Sequence, residues 1–406
     1  MVAVIRRARS AIAAVATAVA LAGCLSIPDY APPDLVSYAA DGTGATVTGA
    51  GFALHFAGGN SFHFPDGLTI GSSPNLLGHD PASACYDESG TGFAIFPTPR
   101  VSWDGDAPLV NNKIAAVMHG PAIVQMRIDW TTQLPAVCSH DHAPGGTSVF
   151  TAFPDGHIVR HDTLVDPGSD SISPTACACQ TTNRPEFDVS SYWTFAPGFQ
   201  ALYGLSAGGE MQAVTVHPGD TANFATVCLD GTTYQVASTW AIPSDSTASG
   251  FPANMFGGNA LIGHRLQKPI GLQNLDVAWD IHGALFLGDR GCTPAVQRAT
   301  DYASAAPLIV NGVPAAMSQL DGIYGGDPGA GAAPGIAIDG RAEVTGQARA
   351  GFAVWLSFSS SPDAVRATLA GATGSWYVPQ RIDDKSWIVW FRDALATGQT
   401  IAIEAL

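Results

Sequence analysis

Charged side chains are scarce in this 406-residue chain, where Asp, Glu, Lys and Arg together make up 13% of the residues, about half the usual share. Basic residues are the scarcest, with 18 Lys+Arg against 34 Asp+Glu and a formal net charge of −16. Such a field repels polyphosphates and disfavours polyanionic glycans. The composition therefore excludes a nucleic-acid partner and favours neutral or cationic ligands.

Long apolar runs are also missing. The longest covers residues 10–22, about 13 residues, which is shorter than the roughly 20 that a membrane-spanning helix needs. It follows Arg6, Arg7 and Arg9 and ends in small residues. Basic, apolar and small-residue regions in this order predict a secretory signal peptide over residues 1–23. The alternative is a buried apolar helix that happens to precede a cysteine.

The end of this segment, Leu21-Ala22-Gly23-Cys24, resembles the lipobox of bacterial lipoproteins. The resemblance implies that Cys24 is lipidated and that the lipid anchors the chain in the bacterial envelope. Leu25 stands where an Asp signals inner-membrane retention, which implies the outer membrane or the cell surface. The polar, proline-interrupted residues 24–44 are then expected to form a tether.

Cysteine is sparse as well, with seven in the chain. An even number besides Cys24 in an oxidising compartment predicts three disulfides. Cys177 and Cys179 are too close in sequence to pair without strain, so each is expected to pair elsewhere. The connectivity stays open among the six predicted disulfide cysteines, which are Cys85, Cys138, Cys177, Cys179, Cys228 and Cys292.

Helical periodicity is rare, whereas turn residues are abundant, with 45 Gly and 28 Pro. The clearest strand pattern covers residues 122–130, in which Gln125, Arg127 and Asp129 share one face and apolar residues share the other. One helix is expected from Thr293-Pro294 to about Ala305. The predicted fold is mostly β, an antiparallel sandwich or supersandwich with few short helices, stabilised by disulfides.

Three turn motifs predict antiparallel hairpins: Pro65-Asp66-Gly67, Pro154-Asp155-Gly156 and Asp230-Gly231. A run rich in Gly, Ala and Pro near residue 330 is either a linker or a long hairpin loop. We expect a large β domain over residues 45–310 and a smaller C-terminal β region over residues 311–406.

The motif Gly204-Leu205-Ser206-Ala207-Gly208 resembles the nucleophile elbow of α/β-hydrolases. The resemblance implies Ser206 as nucleophile, with Asp276 and His282 following in the required order. Such an elbow is a strand-to-helix turn, but the pattern from Leu202 to Val216 favours a hairpin. A serine hydrolase is therefore the alternative function and a turn serine the favoured interpretation.

His140 and His142 are two residues apart and could project together towards a metal such as zinc. A third ligand would have to come from elsewhere, and the acidic turns of the chain lack a full set of calcium ligands. The favoured interpretation is an exposed loop without a metal, and no cofactor is predicted.

The hairpin of residues 150–165 carries His157, Arg160, His161 and Asp162 on its return strand. Together with the segment His119-Gly120-Pro121, it resembles the antiparallel sheets of supersandwich carbohydrate-active proteins, the polysaccharide lyases and mutarotase-like domains. The resemblance implies a glycan held on a sheet face by His, Tyr and Arg side chains.

The candidate residues for that site are His157, Arg160 and Tyr192. The predicted function is an envelope-anchored lipoprotein that binds or processes carbohydrate, with a neutral glycan as partner. The alternatives are the serine hydrolase and a non-catalytic envelope or adhesion module, so the sequence leaves open whether the protein is an enzyme.

Overall fold

A computed structural model describes the chain in segments. They are residues 35–40, 42, 44–57, 65–77, 90–97, 109–132, 145–165, 186–196, 198–205, 210–213, 226–231, 234–241, 247–248, 253–256, 259–269, 278–288, 291–303, 307–315, 317, 323–325, 335–348, 351–369 and 376–406. Cys24, the signal segment and residues 24–34 of the predicted tether lie outside them.

The described residues form one helix, α1 (Cys292–Ala303), and 28 strands. In chain order the strands are β1 (Ser37–Ala40), β2 (Gly44–Gly49), β3 (Phe52–Ala57), β4 (Gly67–Ile70), β5 (Gly90–Pro97), β6 (Leu109–His119), β7 (Val124–Thr132), β8 (Gly145–Ala152), β9 (His157–Val165), β10 (Glu186–Phe195), β11 (Phe199–Leu205), β12 (Met211–Ala213), β13 (Thr226–Gly231), β14 (Gln235–Ala241), β15 (Thr247–Ala248), β16 (Ala253–Phe256), β17 (Asn259–Pro269), β18 (Ala278–Gly288), β19 (Leu308–Val310), β20 (Val313–Ala315), β21 (Ile323–Tyr324), β22 (Ile336–Ile338), β23 (Arg341–Thr345), β24 (Phe352–Phe358), β25 (Val365–Leu369), β26 (Tyr377–Arg381), β27 (Ser386–Phe391) and β28 (Thr400–Ala405).

A nine-stranded antiparallel sheet, the central sheet, has the order β12-β11-β13-β14-β18-β9-β8-β7-β6. The turn predicted at Pro154-Asp155-Gly156 connects β8 to β9 within it, whereas Asp230 and Gly231, predicted as a turn, are the last residues of β13, and Asp230 pairs with Gln235 of β14. Gly156 has φ +80°, the conformation for which glycine is suited. The local turn chemistry thus fixes neighbouring strands of this sheet.

One face of the central sheet, the core face, packs on two smaller sheets. The N-terminal sheet has the order β1-β2-β3-β4, and the side sheet has the order β15-β17-β10-β5, with β16 beside β17. Alternating apolar residues of β7 and β3 meet in the shared core, where Met126, Ile128, Leu54 and Phe56 are buried. This two-layer packing follows from the period-2 pattern of both strands.

The opposite face, the α1 face, is covered over part of its area by α1 and by C-terminal strands. Ala295, Val296 and Ala299 of α1 share a core with Ala284 and Phe286 of β18. A disulfide joins Cys228 of β13 to Cys292, the first residue of α1. This pair is one of the predicted disulfides, and the four other cysteines lie outside the described residues.

The C-terminal part is a sandwich of two sheets, with the orders β20-β19-β23-β28-β25 and β21-β24-β27-β26 and with β22 beside β24. It begins at Leu308, just before the predicted boundary at 311, because Leu308 and Val310 pack in its core. At the other end of the chain, β1 lies inside the range 24–44 that was predicted as a tether, and Val36 is already buried. The folded part therefore begins by Val36.

The prediction of a mostly β, antiparallel, sandwich-like fold with few helices and a disulfide is confirmed. The predicted helix is present within two residues of its expected limits. In the part of the chain that the structure describes, no helix is long and apolar enough to cross a membrane.

Candidate functional site

The two faces of the central sheet divide the predicted site residues of β9. His157, Val159 and His161 lie on the α1 face, because Val159 packs in the core beneath α1. Ile158 packs in the core face, so Arg160 and Asp162 share that opposite face. His157 and Arg160 are therefore separated by the sheet.

His157 is fully buried beneath α1. Its ring stacks between those of Phe153 and Phe286, with centroid distances of 4.9 and 4.5 Å and interplanar angles of 12° and 7°. Burial, followed by the charge of Arg298, holds the pKa of His157 well below its usual value of 6.5. His157 is thus a neutral, fully buried residue, and its ring is not presented on an exposed sheet face.

Arg160 is buried in the core face. Its Nε lies 2.7 Å from Asp162 Oδ2, and its guanidinium lies 5.5 Å from the ring centre of Phe150. Ser148 donates to Asp162 Oδ1 at 2.5 Å. The charged group of Arg160 therefore contacts a buried carboxylate and the Phe150 ring, and it is not presented on an exposed surface.

Tyr192 belongs to β10 of the side sheet, where its backbone lies between Gly92 and Gly263. The structure therefore distributes the three predicted residues over two sheets and both faces of one of them.

An open part of the α1 face does carry polar side chains. We call this surface the polar patch and define it by residues that alternate outward on four neighbouring strands, which are Lys113, Arg127, Asp129, Thr147, His161 and Thr163. The Arg127 and Asp129 side chains are 44% and 47% exposed. His161, Thr147 and Thr163 are partly exposed.

Hydrogen bonds hold the centre of the polar patch. Arg127 Nε donates to Asp129 Oδ1 at 2.9 Å, and Thr147 Oγ1 donates to the same oxygen at 2.9 Å. Arg127 Nη2 also lies 3.5 Å from Thr147 Oγ1. These contacts fix a guanidinium, a carboxylate and a hydroxyl beside one another on rigid strands, so donors and acceptors alternate over a short distance.

His161 lies on the same face two strands from Arg127, because Val149 pairs with both residues. A strand spacing of about 4.8 Å puts their Cα atoms roughly 10 Å apart. The patch therefore offers an imidazole, a guanidinium, a carboxylate and hydroxyls on one sheet face. The sequence pattern of β7 had indicated that Arg127 and Asp129 share a face, but it did not connect them to His161.

Ser206 and its neighbours 207–209 lie outside the described residues, but the strands on either side are described. Leu205 pairs with Met211 and Gly204 with Gln212 in an antiparallel hairpin of β11 and β12. A nucleophile elbow needs a helix in the place where β12 lies. The antiparallel pairing of β11 and β12 agrees with the favoured hairpin and does not fit a strand-to-helix turn.

The alternative named two further residues, Asp276 and His282. Asp276 lies outside the described residues. His282 lies on β18, where its backbone pairs with His161 of β9 on one side and with Ala241 of β14 on the other.

The metal candidates His140 and His142 also lie outside the described residues. Within the segments that are described, no group of three or more His, Cys, Asp or Glu side chains could hold a metal ion.

No protein-family model and no curated protein matches the chain. Among solved structures, it is similar to a galactose mutarotase-like protein from Clostridium acetobutylicum, with 6% identity, 63% of this chain and 99% of that chain covered and a TM-score of 0.36. It is also similar to a heparan sulfate lyase from Pedobacter heparinus, with 7% identity, 70% of this chain and 38% of that chain covered and a TM-score of 0.32. A galactose 1-epimerase from Lactobacillus acidophilus has 8% identity, with 64% of this chain and 99% of that chain covered and a TM-score of 0.31.

These neighbours belong to the mutarotase-like and polysaccharide lyase classes that the sequence resembles. Their TM-scores are below 0.5, so they define neither a fold family nor an activity for this chain. The geometry of the polar patch is independent of them.

Proposed function

We propose that this protein is a lipid-anchored protein of the bacterial envelope that binds a neutral glycan on the polar patch. The observation that carries the proposal is the hydrogen-bonded group of Arg127, Asp129 and Thr147 on an exposed sheet face, with His161 on the same face. Sugar hydroxyls both donate and accept hydrogen bonds, and this group offers both kinds of partner at adjacent positions.

The charge of the chain supports a neutral rather than an acidic glycan. The net charge is −16, and the signal segment that would be removed carries three arginines and no acidic residue. The mature chain is then more acidic still, which opposes capture of a polyanion. Within the polar patch, Asp129 balances the charge of Arg127.

The envelope location rests on the sequence from Arg6 to Cys24. Metabolic labelling with an alkyne fatty acid is expected to modify the full chain and to fail for Cys24→Ser. Retained labelling of that variant would rule out Cys24 as the lipid attachment site.

Glycan binding is tested with a panel of neutral and acidic oligosaccharides, using calorimetry for affinity and product analysis for depolymerisation. Arg127→Ala removes two contacts of the polar group, so we expect its affinity for a neutral oligosaccharide to fall about tenfold or more. Arg341→Ala is the matched control, because Arg341 forms comparable exposed ion pairs with Glu343 and Glu404 on the C-terminal sandwich.

If no glycan in the panel binds, or if Arg127→Ala binds as well as Arg341→Ala, the proposal fails and a non-catalytic adhesion module is favoured. His161→Gln extends the test to processing, because it keeps a hydrogen-bonding side chain and removes the imidazole that could exchange a proton. Any turnover is expected to be lost in this variant while binding is retained.

A further inference from the structure

A second surface of the molecule has the form of a small-molecule site. A cavity of about 650 Å³ opens between the β3–β4 sheet, the β8–β9 turn and the start of α1. Its volume falls in the range that is typical of ligand pockets, roughly 300–1,000 Å³. Asp155 of this cavity lies in the turn before β9, and His161 of the polar patch lies roughly 13 Å along β9 from its first residue, so the two sites are separate.

The walls of the cavity are largely apolar. They include Phe52, Ile70, Pro74, Tyr234 and Leu287. The Tyr234 ring packs edge-on against Phe199, with a centroid distance of 5.4 Å and an interplanar angle of 83°. This contact orients the ring, and the walls together present C–H and aromatic surface to a bound molecule.

Two charged side chains, Asp155 and Arg298, supply the polar part of the lining. Arg298 Nη2 donates to Asp155 Oδ2 at 2.7 Å, and the backbone N–H of His157 donates to Asp155 Oδ1 at 3.3 Å. The Asp155 side chain is 21% exposed and the Arg298 side chain is 30% exposed. Because a carboxylate has about four acceptor sites and a guanidinium five N–H donors, both keep capacity for a ligand.

The pair is held rigidly. Asp155 is part of the tight turn in which Phe153 donates its backbone N–H to His157 and accepts from Gly156, and Leu287 donates its backbone N–H to Gly156. Arg298 is on α1, and its guanidinium lies 5.4 Å from the ring centre of Phe286. The Cys228–Cys292 disulfide fixes the start of this helix. A ligand would therefore meet a preorganised pair.

We propose that this cavity binds a single uncharged polyhydroxylated ring of the monosaccharide class. A hydroxyl group can donate to Asp155 and accept from Arg298, while the ring C–H groups contact Tyr234 and Leu287. The ion pair favours an uncharged ring, because Asp155 would repel an anionic ring and Arg298 would repel a cationic one.

Burial raises the pKa of Asp155, and Arg298 counteracts this effect. Hydroxyl donors from a ligand would replace part of the hydration that the carboxylate has lost. This is consistent with a site that gains hydrogen bonds when it is occupied.

The experiment titrates the full chain with glucose, galactose and N-acetylglucosamine, and with the charged analogues glucuronate and glucosamine, by saturation-transfer NMR. At least one neutral sugar is expected to bind more tightly than both charged analogues. Arg298→Met is expected to weaken that binding about tenfold or more.

Two variants keep the test decisive if Arg298→Met does not fold. Asp155→Asn retains an acceptor for the His157 N–H and removes the charge, and it should weaken binding similarly. Gly288→Ala adds a methyl group to the cavity lining, 3.8 Å from Ala295 Cβ, without strain, and should reduce binding by occupying space.

Arg341→Ala, at an exposed ion pair of the C-terminal sandwich, is the control and should leave monosaccharide affinity unchanged. Failure of any neutral sugar to bind, stronger binding of a charged analogue, or unchanged affinity in the cavity variants would each overturn the proposal. If Arg127→Ala instead abolished monosaccharide binding, the sugar would belong to the polar patch. Loss of oligosaccharide binding at the polar patch alone would leave the cavity result intact.

Discussion

Gln380 connects the C-terminal sandwich to the central sheet through two buried hydrogen bonds. Its side chain is 4% exposed, and its Oε1 accepts from the backbone N–H groups of Ala122 and Ile123 at 3.0 and 2.8 Å. These two residues form the turn between β6 and β7. A methyl group added at neighbouring Gly120 would lie 2.5 Å from Gln380 Cδ, so it would displace the amide.

The expected loss of stability in Gln380→Ala follows from the two N–H groups that lose their acceptor. Each buried donor that loses its acceptor costs about 1–3 kcal/mol, so Gln380→Ala should lower the free energy of unfolding by about 2–6 kcal/mol. Gly120→Ala should have a comparable effect, because moving the amide breaks the same two bonds. In the Gln380→Ala background the methyl group has room, and Gly120→Ala should then change stability by less than about 1 kcal/mol.

The assay is a double-mutant cycle by urea denaturation of the disulfide-intact full chain, with Gln399→Ala as an exposed control. The double variant should be about as stable as Gln380→Ala alone, which makes the two effects strongly non-additive. If the two losses add within about 0.5 kcal/mol, the methyl group at residue 120 does not act by breaking the hydrogen bonds of Gln380, and the predicted coupling is refuted.

Three further predictions concern stability. Cys228→Ala removes a disulfide with a sequence separation of 64 and should lower the free energy of unfolding by about 4 kcal/mol. As a check, this loss should be no larger than the loss that reductant causes in the wild type. Because the native pKa of His157 is depressed, unfolding takes up a proton below pH 6.5, and stability should fall there by up to about 1.4 kcal/mol per pH unit. His157→Phe should show a shallower decline between about pH 7 and pH 5, and an identical slope would contradict the assignment. Asp162→Asn leaves Arg160 buried without its counter-charge and should cost about 3–5 kcal/mol, whereas Arg341→Met at an exposed ion pair should cost about 1 kcal/mol or less, as thermal unfolding can compare.

The sequence predicted the strands and turns well where the signal was local. The alternation gave the correct faces for most of β7, since Met126 and Ile128 are buried while the Arg127 and Asp129 side chains are exposed, but Gln125 on the polar side is buried as well. The Pro154-Asp155-Gly156 turn and the start of α1 were also predicted correctly. Proline, glycine and period-2 patterns act within a few residues, so one chain segment contains the whole signal.

The candidate site could be predicted only in part. The pattern of β9 indicates correctly that His157 and His161 share a face, but it does not indicate that His157 is buried while His161 is partly exposed. The cavity was missed entirely, because Asp155 was interpreted only as a turn residue and Arg298 lies 143 positions further along the chain. Nothing in the local pattern of either segment indicates that they meet.

The sequence by itself determined the acidic charge, the segment that resembles a lipoprotein signal, the antiparallel strands and the side of each strand on which a residue lies. Only the tertiary structure decided what covers each side. His157 is buried between Phe153 and Phe286 near α1, whereas His161 is partly exposed, although the two are four residues apart on one face. The physical reason is that strand periodicity specifies a direction, whereas burial depends on elements packed there from distant parts of the chain.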